Sequence, residues 1–523
     1  MRFAPVLLLS ACLSAYADVR LPALIGDNMV LLQDTKANVW GWADPGEKVT
    51  VKLGDANASS TADDAGKWSV KLEGLKPGSG LEMSIAGKNT LTLKNVAVGE
   101  VWLASGQSNM AWTVRQSVDA EKEIAACNFP DLRVFTVERK GSATPLEDVQ
   151  GKWEVATPES AGKFSAVGYF FARELHQKLN QPVGLIHSSW GGTPVETWMP
   201  ASAMKSNPTF GDHWKKKQAE FPEAKARHNE AMAKHKAKAE AAKAEGKPAP
   251  SAPRAPDGPD AHYAAPMGLF NGMIAPLASY TIRGAIWYQG ESNAGFQNRG
   301  NMELYGQLFP TMILSWRYEF ARAQGIPREE SEFPFLFVQL ANFKARRGEP
   351  TDSYWAQVRE AQLGTLEIPR TGMAVAIDIG EANDIHPKNK QEVGRRLALS
   401  ALAQVYFQEM EFSGPLYSGM QVEEDKIRLN FSHSEGLKSK DGGPIKGFAI
   451  AGADKKFVWA EAKLEGDHIV VSSPQVREPV AVRYAWADNP EANLVNAANL
   501  PASPFRSDDW PQNPPPGSAA TLE

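Results

Sequence analysis

The sequence predicts an α/β core built on a parallel sheet, with one β-domain before it and another after it. In residues 18–95, and again after about residue 413, short segments alternate apolar and polar side chains between turn residues, as antiparallel strands do. Between these regions, short apolar segments alternate with helical patterns, which is typical of a parallel sheet covered by helices. A length of 523 residues suits about two to four domains, and we predict three.

The first 17 residues precede these domains and have the pattern of a secretory signal peptide. Arg2 is basic, Val6–Cys12 is apolar, and Ala15–Ala17 reads A-Y-A, a typical cleavage site. We therefore expect an exported protein that is periplasmic or extracellular. A lipoprotein anchored at Cys12 is the alternative, because Leu9–Cys12 resembles a lipobox.

The N-terminal β-domain is predicted over residues 18–95 and the C-terminal one over residues 413–510, followed by a disordered tail over residues 511–523. The alternation predicts strands at Ala37–Trp42, Lys48–Leu53, Lys67–Leu72, Lys426–Asn430, Gly447–Ile450, Lys456–Ala460, His468–Ser472 and Val480–Ala485.

The α/β domain is predicted over residues 96–412. Asn389 is the predicted N-cap of its last helix, with Glu392 three residues later. The apolar segments predict strands at Val101–Ala104, Val183–His187, Gly284–Tyr288, Phe335–Leu340 and Met373–Asp378, and the helical patterns predict helices at Ala166–Leu179, Leu304–Glu319, Tyr354–Gly364 and Lys390–Gln408.

Residues 206–262 interrupt this domain. They are rich in Lys, Ala and Glu and then in Pro, which predicts an exposed helix followed by an extended linker. A docking arm for an acidic partner is the alternative, which the interleaved acidic residues disfavour.

The composition excludes several classes of protein. A net charge of −5 lacks the basic excess of a nucleic-acid binder, and 2 cysteines are too few for a disulfide scaffold. No segment after the signal peptide has the apolar length of a membrane span. Neither an H-E-x-x-H motif nor a cysteine pair suggests zinc, and no G-x-x-x-x-G-K-[ST] loop suggests a nucleotide. We therefore expect no metal and no cofactor, and the oligomeric state is not predicted.

Ser108 is the first candidate for a catalytic residue. It follows the predicted strand Val101–Ala104 in a tight turn, which lifts a hydroxyl group above the carboxyl edge of the sheet, where α/β proteins bind ligands. The turn lacks the second glycine of G-x-S-x-G and is therefore not the nucleophile elbow of an α/β-hydrolase. A helix N-cap is the alternative role for a single serine.

His386 is the second candidate, and Asp384 lies two residues before it. Both follow the predicted strand Met373–Asp378 on a loop. A neutral imidazole can accept the serine proton, and a carboxylate can orient the imidazole and stabilise its charged form. A surface histidine that caps the next helix is the alternative.

Two further loops after predicted strands carry hydrogen-bond donors. Residues 188–194 read SSWGGTP, and residues 289–293 read QGESN. Backbone N–H groups at glycines and side-chain amides can stabilise an oxyanion, each by about 3–4 kcal/mol, although ordinary turns use the same residues. Because all four loops follow strands of one parallel sheet, we expect them to meet at one edge.

The four loops, in this order, resemble those of the SGNH hydrolase superfamily and, within it, those of the sialate O-acetylesterase family. The resemblance covers nearly all of the mature chain and is weakest in the Lys-rich insertion. The matching blocks are Gly106–Met110, Trp190–Thr193, Leu269–Pro276, Gln289–Asn293 and Asp384–Pro387.

This resemblance implies a three-layer α/β/α core and a serine carbohydrate esterase that removes O-acetyl groups from sugars. Ser108 would attack the acetyl carbonyl, and His386 would take the serine proton and pass it to the leaving hydroxyl group. The N–H groups of Ser108 and Gly192 and the amide of Asn293 would form the oxyanion hole. Water would then release acetate from the acetyl-enzyme.

The acid of the triad stays open at this point. The superfamily usually has an aspartate three residues before the histidine, where this chain has Asn383. Asp384 is our prediction. Glu291 is the alternative, because its Q-G-E block is similar to one whose glutamate serves related acetylxylan esterases. A backbone carbonyl group that assists a Ser-His pair is a third option.

The family name implies 9-O-acetyl sialic acid as the substrate, and acetylated xylan or another plant glycan is the alternative. Two alternatives belong to other classes of protein. One is a non-catalytic carbohydrate-binding protein, and the other is a glycoside hydrolase with Glu291 and Asp384 as its catalytic pair. The predicted substrate contacts lie in or beside the catalytic blocks, although core packing suits the tryptophans equally well: Gln107, Trp112, Trp198 and Gln289.

Overall fold

The structure is a computed structural model of the chain and describes residues 18–250, 252–253, 265–295 and 302–512. The predicted signal peptide, the end of the predicted linker and the predicted tail from residue 513 onwards lie outside the described residues.

The N-terminal part is built from strands, and its longest strand enters the core of the protein. The strands are β1 (Val30–Leu32), β2 (Ala37–Trp42), β3 (Lys48–Leu53), β4 (Ala56–Thr61), β5 (Lys67–Leu72), β6 (Gly78–Ala86) and β7 (Thr90–Gly106). β2 pairs with β5, whereas β3, β4 and β6 join β7 in a second sheet. The predicted bounds of β2, β3 and β5 are confirmed. The 17-residue β7 continues into the central sheet and passes through the predicted domain boundary.

The central sheet is largely parallel and carries β7 near its middle. Its other strands are β8 (Phe129–Thr136), β9 (Trp153–Ala156), β10 (Val183–Ser189), β11 (Gly284–Tyr288), β12 (Phe335–Gln339) and β13 (Thr371–Val375), in the order β13-β12-β11-β7-β10-β8-β9. Neighbours pair in parallel, except that β9 runs antiparallel to β8. The predicted parallel strands are confirmed. No strand was predicted at β8, because Pro130, Asp131 and Arg133 interrupt its apolar pattern.

The helices of the central part follow the predicted pattern closely. They are α1 (Ser108–Ala111), α2 (Ala120–Ala125), α3 (Pro158–Ala161), α4 (Ala166–Leu179), α5 (Ala201–Ser206), α6 (Pro208–Ala244), α7 (Met302–Gln324), α8 (Tyr354–Gly364) and α9 (Lys390–Gln404). α4 packs against α9, and α7 packs against α8. The predicted cap of α9 is confirmed, since the side chain of Asn389 accepts a hydrogen bond from the Glu392 N–H at 3.1 Å.

The predicted exposed helix of the insertion is confirmed as α6. Phe210 and Trp214 are buried near its start, whereas most of its later residues are exposed. Ion pairs such as that between Lys234 and Glu230, four residues apart, lie along this exposed part. Such pairs support a solvated helix.

The C-terminal part has a hydrophobic core of its own. Its buried side chains, such as Ile427, Phe448 and Val482, form a cluster separate from the one that the N-terminal and central strands share. Its strands are β14 (Leu416–Glu423), β15 (Lys426–Ser432), β16 (Lys438–Ser439), β17 (Phe448–Ala451), β18 (Val458–Trp459), β19 (Glu461–Glu465), β20 (His468–Ser472), β21 (Ala481–Tyr484), β22 (Leu494–Val495) and β23 (Phe505–Arg506).

The chain is thus a mixed α/β protein with one large mixed sheet and additional smaller β-sheets. Among the described helices, none is both long and apolar enough to cross a membrane. The three-domain division stays a prediction.

Candidate active site

The Ser108 turn is positioned by the end of β7. Gly106 has a φ of +131°, and a Cβ atom there would lie 2.2 Å from the carbonyl oxygen of Tyr288 on β11. The next N–H group, that of Gln107, donates to the same carbonyl at 2.9 Å. Only glycine fits this close approach, which turns the chain out of the sheet.

Ser108 is the first residue of α1 and is partly exposed. The N-cap of α1 is Gln107, which makes no side-chain capping bond. The alternative role of Ser108 as a helix N-cap is therefore wrong. Its hydroxyl group lies at the carboxyl edge of the sheet, where a ligand can reach it.

His386 is half-buried and has a carboxylate beside its ring. Its Nδ1 atom lies 3.3 Å from Oδ1 of Asp384, and its backbone N–H donates to the same oxygen at 2.9 Å. Its ring stacks on Trp112, with centroids 4.8 Å apart and planes at 18°. His386 does not cap α9, because Asn389 does.

The charge state of His386 suits a general base. Burial and the nearby positive charge of Lys390 lower the pKa of the imidazole, and Asp384 opposes this shift in part. The ring is therefore neutral at neutral pH and able to accept a proton.

The residues next to Ser108 and His386 in sequence hold the serine and histidine loops together. Asn109, which follows Ser108, donates from Nδ2 to the carbonyl oxygen of Ile385 at 3.1 Å. The glycine loop joins them, since a Cβ atom at Gly191 would lie 3.2 Å from Cβ of Ser108. Three of the four predicted loops thus meet at one place.

Glu291, from the fourth loop, lies deeper than the other candidate acid. It is 2% exposed, and one carboxylate oxygen accepts a hydrogen bond from Asn109. Its other oxygen has no hydrogen-bond partner among the described residues. Burial raises the pKa of this carboxyl group. The carboxylate that forms an ion pair with the His386 imidazole is that of Asp384, whereas Glu291 contacts Asn109.

The predicted oxyanion donors lie on the same edge of the sheet. Gly192 adopts a φ of +72°, which favours glycine. Asn293 is buried, and its amide donates to Oε2 of Glu196 at 3.0 Å while its Oδ1 accepts from the Val195 N–H at 3.0 Å. A side-chain amide has two hydrogens, so the bond to Glu196 uses one of them.

Of the four predicted substrate contacts, three are buried. Gln107 accepts the N–H groups of Gly290 and Ser292, at 3.5 and 3.3 Å, and so shapes the loop around Glu291. Trp198 and Gln289 are fully buried. Trp198 donates a hydrogen bond to the Thr193 hydroxyl group, and Gln289 donates one to the Thr193 carbonyl oxygen. Trp112 is the partly exposed member of this set.

Lys390 is a site residue that was not predicted. It is fully buried, and its Nζ donates to Oδ1 of Asn109. Burial lowers its pKa to about 7, although the charge of Glu291 opposes this shift. A lysine at the first position of a helix is electrostatically unfavourable, and this anomaly was the signal available in the sequence.

The arrangement suits acyl transfer. The Ser108 hydroxyl group, the imidazole of His386 with the Asp384 carboxylate beside it, and the glycine loop lie together at the carboxyl edge of a largely parallel sheet, and groups of these kinds can serve as nucleophile, base and oxyanion donors. Within the described ranges, no group of three or more His, Cys, Asp or Glu side chains is placed to hold a metal ion.

Comparison with known proteins identifies the family. A family model described as carbohydrate esterase, sialic acid-specific acetylesterase, matches residues 98–240 and 261–403. The chain is 32% identical to sialate O-acetylesterase of Mus musculus over 550 residues, covering 96% of this chain and 97% of that protein. It is 31% identical to that of Homo sapiens over 548 residues, covering 95% and 94%.

A solved structure supports the same class. The crystal structure of a carbohydrate acetylesterase from Xanthomonas citri is 37% identical in sequence, with a TM-score of 0.78, over 94% of this chain and 100% of that one. The protein is therefore a carboxylic ester hydrolase that acts on carbohydrate esters. It belongs to the sialic acid-specific acetylesterase family of carbohydrate esterases. The alternatives of a non-catalytic sugar-binding protein and of a glycoside hydrolase are set aside.

Proposed function

We propose that the protein removes O-acetyl groups from sialic acid by a serine mechanism, with Ser108, His386 and Asp384 as its catalytic triad. The observation that carries the mechanism is the 3.3 Å contact between Nδ1 of His386 and Oδ1 of Asp384, on a loop that Asn109 ties to the Ser108 turn. The names of the relatives in Mus musculus and Homo sapiens support the substrate.

In the first half of the reaction, Ser108 Oγ attacks the acetyl carbonyl while Nε2 of His386 takes the hydroxyl proton. Asp384 holds Nδ1–H and stabilises the imidazolium that forms. The negative charge on the carbonyl oxygen is received by the N–H groups of Ser108 and Gly192 and by the free hydrogen of the Asn293 amide. When the intermediate collapses, the imidazolium gives its proton to the sugar oxygen, and the sugar leaves.

In the second half, water attacks the acetyl-enzyme. His386 takes a proton from the water as the new bond to the acetyl carbon forms, and then returns a proton to Ser108 Oγ as acetate leaves. The cycle needs no group from outside the chain except water.

The function is tested by measuring acetate release from 9-O-acetylated sialic acid and from acetylated xylan side by side. We expect faster release from the sialic acid ester, and almost complete loss of release in Ser108→Ala. Preference for acetylated xylan would contradict the substrate assignment, whereas full activity of Ser108→Ala would contradict the serine mechanism.

The identity of the acid is tested by two matched substitutions. Asp384→Asn should lower kcat about 10⁴-fold, because an oriented imidazole loses its carboxylate partner. Glu291→Gln keeps the shape of the side chain and should lower kcat much less. If Glu291→Gln were the more severely impaired variant, Glu291 would be the acid instead of Asp384.

We also propose that the central part is a three-layer α/β/α core of the SGNH type, flanked by β-domains at residues 18–95 and 413–510. The packing of α4 on α9 and of α7 on α8, around the largely parallel sheet, supports the layers. The separate hydrophobic core of the C-terminal part supports its independence.

We propose further that the chain is exported to the periplasm or the extracellular space. The pattern of residues 1–17 supports export. N-terminal sequencing of the mature protein should begin at Asp18. A lipid-modified terminus at Cys12 would contradict cleavage after Ala17.

A further inference from the structure

A fully buried lysine lies beneath the catalytic loops. Lys390 has 0% exposure, and its ammonium group lies over the rings of Tyr288 and Trp112, at 5.3 and 5.9 Å from their centroids. Its Nζ donates a hydrogen bond to Oδ1 of Asn109. Because lysine is almost never fully buried without a partner, this position calls for an opposite charge.

Glu291 supplies that charge through Asn109. An ammonium group can only donate hydrogen bonds and a carboxylate can only accept them, so the amide between them is held in one orientation. Its Oδ1 accepts from Lys390, and its Nδ2 donates to Glu291 and to the Ile385 carbonyl. Asn109 therefore links three loops, and it is the direct neighbour of Ser108.

We propose that Lys390 is a positioning residue, which fixes Asn109 and thereby holds the Ser108 turn against the His386 loop. This proposal rests on the serine mechanism proposed above. It assigns Glu291 a structural charge-pairing role beneath the site, while Asp384 orients the imidazole.

Lys390 also acts on His386 through its charge. The titratable groups that face Lys390 are Glu291 and Tyr288 from the β11 side and Glu381, Asp384 and His386 from the loop before α9. The positive charge of Lys390 lowers the pKa of His386, the proposed general base, and also lowers that of Glu291. Since the pKa of Lys390 is about 7, the lysine is charged over the acid range in which His386 gains its proton.

This charge effect predicts the direction in which the pH profile of a Lys390 variant moves. Loss of the Lys390 charge raises the pKa of His386, so the acid limb of the kcat/KM profile moves to higher pH. A residue that only filled space would leave the position of this limb unchanged.

The test compares Lys390→Met with the double variant Glu291→Gln/Lys390→Met, using p-nitrophenyl acetate across the pH range. Lys390→Met leaves a buried carboxylate unpaired, whereas the double variant removes both charges. We expect kcat/KM to fall by about 10²-fold in Lys390→Met, because the nucleophile is displaced. The double variant should recover part of that loss and should show the shifted acid limb.

Lys388→Met is the matched control. Lys388 is exposed, and its Nζ atom lies 4.0 Å from Oε2 of Glu381, so removal of this weakly paired charge should leave rate and profile unchanged. A double variant with wild-type kcat/KM and an unshifted acid limb would overturn the proposal. A double variant that did not fold would overturn it as well, since Lys390 would then serve the fold rather than the site.

The result can be separated from a failure of the proposed function. If Ser108→Ala stays active, the serine mechanism itself is wrong. If Ser108→Ala is inactive while the double variant behaves like wild type, only the role of Lys390 is wrong.

Discussion

The proton affinity of His386 is decided by its immediate neighbours. Burial against Trp112 disfavours the charged imidazolium, and the Lys390 ammonium group disfavours it further. Asp384 acts in the opposite direction, because its carboxylate favours the imidazolium. The first two effects are the stronger, so the imidazole is neutral at rest, and in the proposed mechanism the Asp384 carboxylate stabilises it when it becomes charged.

This balance predicts the acid limb of the pH profile. Because the proposed mechanism needs a neutral His386 in the free enzyme, kcat/KM should fall as the pH falls through the pKa of this residue, at a midpoint below the ordinary histidine value of about 6.5. Hydrolysis of p-nitrophenyl acetate between pH 4 and 8 measures the midpoint. A midpoint above that ordinary value would show that Asp384, rather than burial, dominates.

Among the elements, β7 has the largest influence on the site. It belongs to the N-terminal sheet at its start and to the central sheet at its end, where it pairs in parallel with β10 and β11. The loops after these strands carry Ser108, Gly191 and Glu291, and they are therefore brought to one edge by the pairing itself. The close contact of Gly106 with Tyr288 fixes where β7 stops.

Gly106→Ala should therefore damage both stability and activity. The new methyl group would overlap the Tyr288 carbonyl oxygen, and overpacking alone costs about 1–3 kcal/mol, with backbone strain at positive φ in addition. We expect a lower melting temperature and a large loss of kcat. Gly78→Ala on β6 is the control, because a Cβ atom there meets nothing within 4 Å. Equal behaviour of the two variants would contradict this account of the turn.

At the scale of the whole molecule, a buried arginine joins the C-terminal part to the central part. Arg359 on α8 is fully buried. It donates to the carbonyl oxygens of Leu340 and Ala341, both at 2.8 Å, and to those of Ala487 and Asp488, at 2.6 and 3.1 Å. Burial lowers its pKa to about 9, yet the group remains charged at neutral pH. The two parts are thus joined by a charged hydrogen-bond network as well as by packing.

Removing this guanidinium should weaken the junction. Arg359→Met leaves buried carbonyl oxygens without donors, and we expect a loss of about 3–5 kcal/mol in the free energy of unfolding. Denaturant unfolding measures the loss, and limited proteolysis should cut between the two parts more readily. Arg347→Met, at an exposed position of the preceding loop, should change neither result.

The sequence by itself determined most elements and the order of the loops that carry the candidate catalytic residues. The strands β2, β3, β5, β11 and β20 and the helices α4 and α8 have their predicted bounds, because their side-chain periodicity is local. β8 was not predicted because charged residues interrupt its apolar pattern. One of them, Arg133, is buried because it donates hydrogen bonds to carbonyl groups that are distant in sequence, such as that of Asn95.

Only the tertiary structure decided which neighbour each site residue has. The sequence left Asp384 and Glu291 as competing acids, and the fold put one beside His386 and the other on Asn109, 182 residues away along the chain. The burial of Lys390 and Gln289 was not predicted either, and for Trp198 the structure decided in favour of core packing, which the sequence had left as an alternative. Periodicity reports which face of an element is apolar, whereas the partner of a buried charge depends on contacts between segments that are distant in sequence.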